Sequence, residues 1–368
     1  MVTYIHQLSD WPAFAWDQGR LAPLLANVNH RLGRLLGQMS TYGFDLRSEA
    51  LLRTLTLDVV KSSEIENEVL DLDQVRSSIA RRLGMDIAGL VPADRYVEGT
   101  VDMMLDATQH YDAPLTKQRL FDWHAALFPT GRSGMYSILV GTWRNDSHGR
   151  MQVVSGPLGR ERVHYEAPAA DKVDAEMTAF LAWFNQDQAL DPVLKAALAH
   201  FWFVTIHPFD DGNGRIARAI ADMQLARADK SSQRFYSMSA QIKKEHKAYY
   251  DILEKSQKGS LNIFAWLEWF LVCIDHALDT TDATLSDIIR RARFWETHAA
   301  LALNERQRFM LNKLLDDFVG KLNTSKWAKM AKCSQDTALR DIQYLIEQKI
   351  LEKEEGGGRN TSYILIGS

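Results

Sequence analysis

The chain has 368 residues, of which 46% are hydrophobic and 24% charged, and a formal net charge of -4. This is enough apolar material for two or three folded domains, and the absence of a basic excess excludes a protein that chiefly coats nucleic acid. Cys273 and Cys333 are the only two cysteines, too few for a disulfide framework or a metal spacing; buried thiols in helical, apolar surroundings are expected.

The opening stretch, "MVTYIHQLSDWPAFAWDQ", has neither a basic n-region nor an apolar h-region, so it is not expected to be a signal peptide. Further on, "SSEIEN" (62–67) places Ser63 and Glu66 at the S-x-x-E spacing of a capping box, which predicts the start of a helix. "MQVVSGPLGRERVHYEAP" (151–168) reads as two short β-prone runs around the turn signal "GPLG". Such a hairpin is marginal alone and is expected to lie over a helical body. "DAEMTAFLAWFNQ" (174–186) and "DPVLKAALAHFWFVTI" (191–206) carry helical apolar spacing with acids near their starts.

"HPFDDGNGRIAR" (207–218) interrupts this run. His207 follows an apolar helix that Pro208 prevents from continuing smoothly. Gly212 and Gly214 allow a close-approach backbone, and a helical period resumes after them. A glycine loop leading into a helix N-terminus is an anion site, and Arg215 and Arg218 stand three apart on one face of that helix, suited to phosphate. A carboxylate beside phosphates suits Mg²⁺. Asn213 can donate to a phosphoryl oxygen, and His207 can take a proton from an attacking hydroxyl. Each residue alone would pass for surface-loop chemistry; the whole set points to phosphoryl or nucleotidyl transfer on a nucleoside triphosphate.

After this segment, "LNIFAWLEWFLVCIDHAL" (261–278) contains Glu268 and Asp275 and is expected to be a buried helix, not a membrane span. The tail from about Leu303 reads as helix, helix–turn–helix and two short strands around a glycine-rich tip, a winged-helix pattern in which Thr324 or Ser325, and Ser334, would cap helices. Residues 304–368 hold 11 basic and 9 acidic side chains, a weak signal for DNA and equally suited to protein contacts or dimerisation.

"HPFDDGNGR" resembles the signature H-P-F-x-[DE]-G-N-[GK]-R of the Fic (filamentation induced by cyclic AMP) family, and "IAR" supplies its second arginine. "LFPTGR" (127–132), "VHYEAP" (163–168), "EMTAFLAWFN" and "KAYYDIL" (247–253) are also similar, so the resemblance covers roughly residues 60 to 275. "WPAFAWDQGRLAPLLANVN" is similar to an uncharacterised domain often found ahead of this core. The resemblance implies a mainly α fold: a Fic-type helical core with a β-hairpin flap, plus the C-terminal winged helix. The expected organisation is a helical region at 1–45, helices carrying an inhibitory motif at 46–110, the catalytic core at 111–300 and the winged helix at 301–368.

The implied reaction is AMPylation, in which AMP passes from ATP to a protein Ser, Thr or Tyr hydroxyl and pyrophosphate leaves. His207 would be the general base and Asp211 the Mg²⁺ ligand. Asn213 and the backbone at Gly212 and Gly214 would hold the α- and β-phosphates. Arg215 would contact the triphosphate and Arg218 the γ-phosphate. Phe209 would anchor the loop in the core, and Asp210 would be a bystander. The hairpin would grip the target by strand pairing. Tyr249 and Tyr250 match a pair near the base pocket, or form an aromatic packing stripe.

Ser62, Glu66 and Asn67 fit the family's regulatory pattern [ST]-x-x-x-E-[GN], which implies that Glu66 competes for Arg218 and inhibits the enzyme. A tethered competitor acts at an effective concentration of roughly millimolar, so a modest contact suffices. Expected partners are ATP, a protein hydroxyl substrate that could be this chain itself, and a second copy in a homodimer, in the cytoplasm and without a membrane. The alternatives are removal of AMP at the same site, and a winged-helix nucleic-acid-binding regulator with a nucleotide-sensing core.

Overall fold

A computed structural model describes residues 3–85, 89–147, 149–157, 159–187, 189–315, 318, 320–354 and 361–366. The chain divides into two compact units, Met1–Ser286 and Asp287–Ser368.

In the first unit a short 3-10 turn, Ile5–Gln7, precedes α1 (Gln18–Ser40), α2 (Phe44–Ile65), α3 (Leu72–Arg82), α4 (Arg95–Gln109) and α5 (Lys117–Leu127). Two small antiparallel hairpins follow: β1 (Arg132–Ser133) with β2 (Tyr136–Ser137), and β3 (Gln152–Ser155) with β4 (Arg162–Glu166). Then come α6 (Ala170–Asn185), α7 (Pro192–Ile206), α8 (Asn213–Asp229), α9 (Met238–Lys244), α10 (His246–Gln257) and α11 (Phe264–Thr297), the last continuing past the first unit's end. The fold is mainly helical, as the apolar periodicity predicts. No described helix is long and apolar enough to cross a membrane.

The helix starts follow the local chemistry. Asp17, Asp71, Asp94, Thr116, Asp191 and Ser237 each accept a backbone N–H of the first turn, and Pro192 follows Asp191 at a position where its missing donor costs nothing. α7 is buried from Val193 to Ile206, so it forms the centre of the unit and packs along α8.

The S-x-x-E spacing at Ser63 and Glu66 does not begin a helix, contrary to the capping-box reading. It lies at the C-terminus of α2, where Glu66 is the cap residue. Asn67 is left-handed at φ 62°, its N–H donates to the Glu64 carbonyl at 3.1 Å, and the N–H of Glu68 donates to the Ser63 carbonyl at 3.0 Å. This pair of bonds is a Schellman ending, and its left-handed position favours Gly or Asn. Lys243 and His246 reach the carbonyls of Glu64 and Ile65, so α9 and α10 hold this helix end in place.

The β3–β4 hairpin is bound down along β4. Tyr165 donates to the Thr205 carbonyl at 2.7 Å, and Arg162 and His164 both reach Glu254 on α10. Val154 and Val163 stay exposed.

The second unit contains α12 (Glu305–Leu315), α13 (Thr324–Met330), α14 (Gln335–Glu347) and an antiparallel pair, β5 (Leu351–Lys353) with β6 (Tyr363–Leu365). Met310, Leu311, Trp327, Ile342 and Leu345 form its core. Ser334 caps α14, but α13 is capped by Asn323 and not by Thr324 or Ser325, because the Asn323 side chain is the one that accepts from the N–H of Lys326. Residues 355–360, the expected glycine-rich tip, lie outside the described residues. Cys273 is buried in α11, whereas Cys333 sits half-buried in the turn before α14, outside any helix.

Candidate functional site

Pro208 disfavours the right-handed helical region for the residue before it, and His207 takes φ 53°, ψ 58° at the end of α7. Its Nδ1 lies 3.2 Å from the Val204 carbonyl. A carbonyl only accepts, so Nδ1 carries the proton and Nε2 is left as a free base. Burial pulls the His207 pKa down to about 4, and Arg144 adds to this; the Val204 carbonyl, Asp211 and Glu66 oppose it. The imidazole is therefore neutral at pH 7.

Arg144 is buried and holds this turn from behind. Its Nε donates to the His207 carbonyl at 2.7 Å, its Nη2 to the Pro168 carbonyl, and its backbone N–H to the Pro208 carbonyl at 2.9 Å. Phe209 is fully buried, with its ring stacked on His124 at 4.1 Å. The N–H of Gly141 donates to Nδ1 of His124, so Nε2 carries the proton and donates to the Asp211 carbonyl at 3.2 Å. Burial lowers His124 to about 4 as well, which keeps it neutral.

One sequence expectation gains a structural role here and one changes. Asp210, the expected bystander to the chemistry, accepts the N–H of Leu139 on its carboxylate at 2.8 Å and ties down the segment after β2. Asn213 does not point its amide at a ligand. Its Oδ1 accepts from the N–H of Phe209 at 2.9 Å, and its Nδ2 donates to the Phe209 carbonyl at 2.8 Å, so it closes the loop. These two bonds satisfy the buried N–H and carbonyl of Phe209.

Gly212 is left-handed at φ 80°, and a Cβ there would lie 2.9 Å from the Phe128 ring. At Gly214 a Cβ would lie 2.2 Å from Glu66 Oε1. The missing side chain is therefore what admits Glu66.

Arg218 is buried, and the end of α2 supplies three of its acceptors. Nη2 pairs with Glu66 Oε1 at 2.9 Å and donates to the Ser62 carbonyl at 2.8 Å, while Nε donates to Ser62 Oγ at 2.9 Å. Among the described residues its Nη1 is buried without a hydrogen-bond partner. Arg215, also buried, pairs with Glu68 and lies 5.0 Å over the Phe128 ring. The two tyrosines separate. Tyr249 packs among Trp266 and Trp269 with its hydroxyl 2.9 Å from His200, and Tyr250 turns its hydroxyl to 3.4 Å from Glu66 Oε2. A cavity of about 640 Å³ lies between β3, α10 and the start of α8, with His207, Asp211, Gly214, Glu66 and Tyr250 in its wall.

Asp211 accepts from the N–H of Gly212 and from Ser133 Oγ, and no described side-chain cation pairs with it. No group of three or more His, Cys, Asp or Glu that could hold a metal occurs among the described residues. One half-buried carboxylate suits Mg²⁺ arriving with a nucleotide, since that ion takes one or two protein carboxylates and completes its shell with phosphate and water.

This geometry coincides with a family match. Residues 114–225 match the model of the Fic/DOC family. Residues 4–85 match a second model, a domain of unknown function (DUF4172). Among curated relatives, the protein adenylyltransferase Fic of Aedes aegypti is 28% identical over 232 residues, 60% of this chain and 40% of that protein. The protein adenylyltransferase fic-1 of Caenorhabditis elegans is 25% identical over 232 residues, 59% of this chain and 43% of that protein. The matches thus span less than half the length of these relatives. A crystal structure of a Fic family protein from Desulfovibrio desulfuricans G20 covers 94% of this chain and 97% of its own at TM-score 0.53 and 21% identity. A Fic domain containing signaling protein from Bacteroides thetaiotaomicron covers 72% and 97% at TM-score 0.51 and 20% identity. Both share the fold.

Several residues of this site had no marker in the sequence reading. Arg144 and His124 lie in segments without a recognisable motif, and only the fold brings them to the loop. Glu68 did have a signal, since it stands two residues after Glu66 in the acidic stretch that ends the regulatory pattern.

Proposed function

We propose that the protein is an adenylyltransferase that moves AMP from ATP to a Ser, Thr or Tyr hydroxyl of a protein, and that its own Glu66 inhibits it. The observation that carries this reading is the base-ready His207 in one cavity with the glycine-rich start of α8. The adenylyltransferase relatives support the same chemistry.

Nε2 of His207 takes the proton of the target hydroxyl. The hydroxyl oxygen attacks the α-phosphorus and forms a P–O bond. The bond from that phosphorus to the bridging oxygen of the β-phosphate breaks, and pyrophosphate leaves with the electron pair. The loop N–H groups and the positive end of α8 face the phosphates, and Arg215 and Arg218 offset their charge. Mg²⁺, held at Asp211, would supply further neutralisation of the phosphate charge. The exposed valines of the β3–β4 hairpin suit strand pairing with a target segment. Inhibition follows from the Glu66–Arg218 pair, which takes the guanidinium that the γ-phosphate needs. The C-terminal unit reads as a winged helix, and its weakly basic charge suits protein contacts or dimerisation as well as it suits nucleic acid.

A second reading, AMP removal, draws on Glu66 and His207 sharing one cavity. ATP labelled at the α- or the γ-phosphate separates the two. With Glu66→Gly, Mg²⁺ and ATP, α-label on protein and γ-label released as pyrophosphate supports transfer. Label on protein from neither position, together with release of AMP from a modified protein by the wild type, supports removal.

A further inference from the structure

We propose that Glu68 is a second inhibitory carboxylate, which holds Arg215 as Glu66 holds Arg218, so that the end of α2 withdraws both arginines of the α8 face from phosphate together. This rests on the self-inhibited transferase reading and extends it from one contact to two.

The Schellman ending of α2 sets the geometry. The left-handed Asn67 reverses the chain, and the residues on either side of it both meet the first turn and a half of α8. Glu68 is the acidic partner of Arg215 among the described residues. The Phe128 ring lies under the guanidinium, and among the described residues its Nε is buried without a hydrogen-bond partner. An arginine so placed gains little from staying where it is once Glu68 leaves, and it keeps unused donors for another anion.

The pair also differs from a structural ion pair in the same protein. Arg234 and Asp222 are both buried, at 2% and 1% side-chain exposure, so neither charge has water to turn to where it stands. Arg215 is equally buried at 2%, but the Glu68 side chain is 41% exposed and stands in a connecting segment beyond a helix end. Water can take the carboxylate as the guanidinium turns to phosphate. Burial raises the Glu68 pKa against the pull of Arg215, and the nearby Asp211 and Glu66 charges add to that rise, so the acid is crowded by like charge. A triphosphate arriving here meets that same negative charge. Removing Glu66 alone therefore leaves half of the block standing.

The test uses the full chain as wild type, Glu66→Gly, Glu68→Gln, Glu68→Asp and Glu66→Gly/Glu68→Gln, each assayed for transfer of α-labelled AMP with Mg²⁺. ATP binding is measured on the same series carrying His207→Ala. The double variant is expected to exceed Glu66→Gly by roughly 5- to 30-fold in ATP affinity and to transfer faster, with Glu68→Asp close to wild type. A double variant equal to Glu66→Gly in both measurements would overturn the proposal, as would a loss of transfer on adding Glu68→Gln. If Glu66→Gly itself transfers nothing, the transferase reading fails, and the ATP affinity of the double variant still decides for or against Glu68.

Discussion

Replacing Glu66 with Gly perturbs the proposed block at one atom pair. Glu66 Oε1 stands 2.9 Å from Arg218 Nη2, with the carboxylate side chain 28% exposed and the guanidinium 2%. A hydrogen bond to a charged partner contributes about 1.5–3 kcal/mol, and the low exposure of Arg218 limits screening. If ATP binds only when Arg218 is free, apparent affinity falls by the fraction of free protein, so losing the pair should tighten ATP by roughly 10- to 150-fold. ADP has no γ-phosphate to claim Arg218 and should gain much less. Glu66→Gln keeps an oxygen acceptor without the charge and should lie between wild type and Gly. Calorimetric titration with ATP and ADP, on a His207→Ala background to prevent turnover, reads these values. Equal ATP affinity in wild type and Glu66→Gly, or equal gains for ATP and ADP, would refute the assignment.

Three further outcomes are expected. Because His207 is lowered to about 4 and acts as a base only when neutral, kcat/KM of the Glu66→Gly enzyme should stay level from pH 8 down through 6.5 and fall on approach to 4; half-loss near 6.5 would mean an unperturbed histidine. Asn67→Gly should leave stability within roughly 0.5 kcal/mol, since both residues accept the left-handed position, whereas Asn67→Val should cost about 1–2 kcal/mol and tighten ATP binding by loosening the end of α2, as thermal melts and titration would show. Gly212→Ala meets both φ 80° and the Phe128 ring and should lower the melting temperature by roughly 2–6 °C with weaker ATP binding; an unchanged melt would contradict the close approach.

What could be read from the sequence was whatever depends on neighbours along the chain. The apolar run before His207 and the resumed period after Gly214 correspond to α7 and α8, and the two β-prone runs around the turn at 151–168 correspond to β3 and β4. The errors arose where one local pattern fits two structures. S-x-x-E at Ser63 suits a helix start, but the apolar run of α2 precedes it, and Asn67 could have marked the end instead. Asn323 outranked Thr324 and Ser325 as a cap because the helix already begins at Thr324, one residue before a Thr324 cap and two before a Ser325 cap would start it. Asn213 looked like a donor to phosphate because nothing in the sequence shows that the Phe209 backbone would otherwise go unpaired. Arg144 and His124 stand 63 and 87 residues from their partners in the loop, and no pattern spans such distances.

The most direct measurement is transfer of α-labelled AMP to protein with Mg²⁺, comparing wild type, Glu66→Gly and Glu66→Gly/His207→Ala. The account predicts strong labelling in the single variant, little in the wild type and none in the double. Equal labelling of single and double variants would contradict the role of His207, and no labelling in any of the three would contradict the transferase itself.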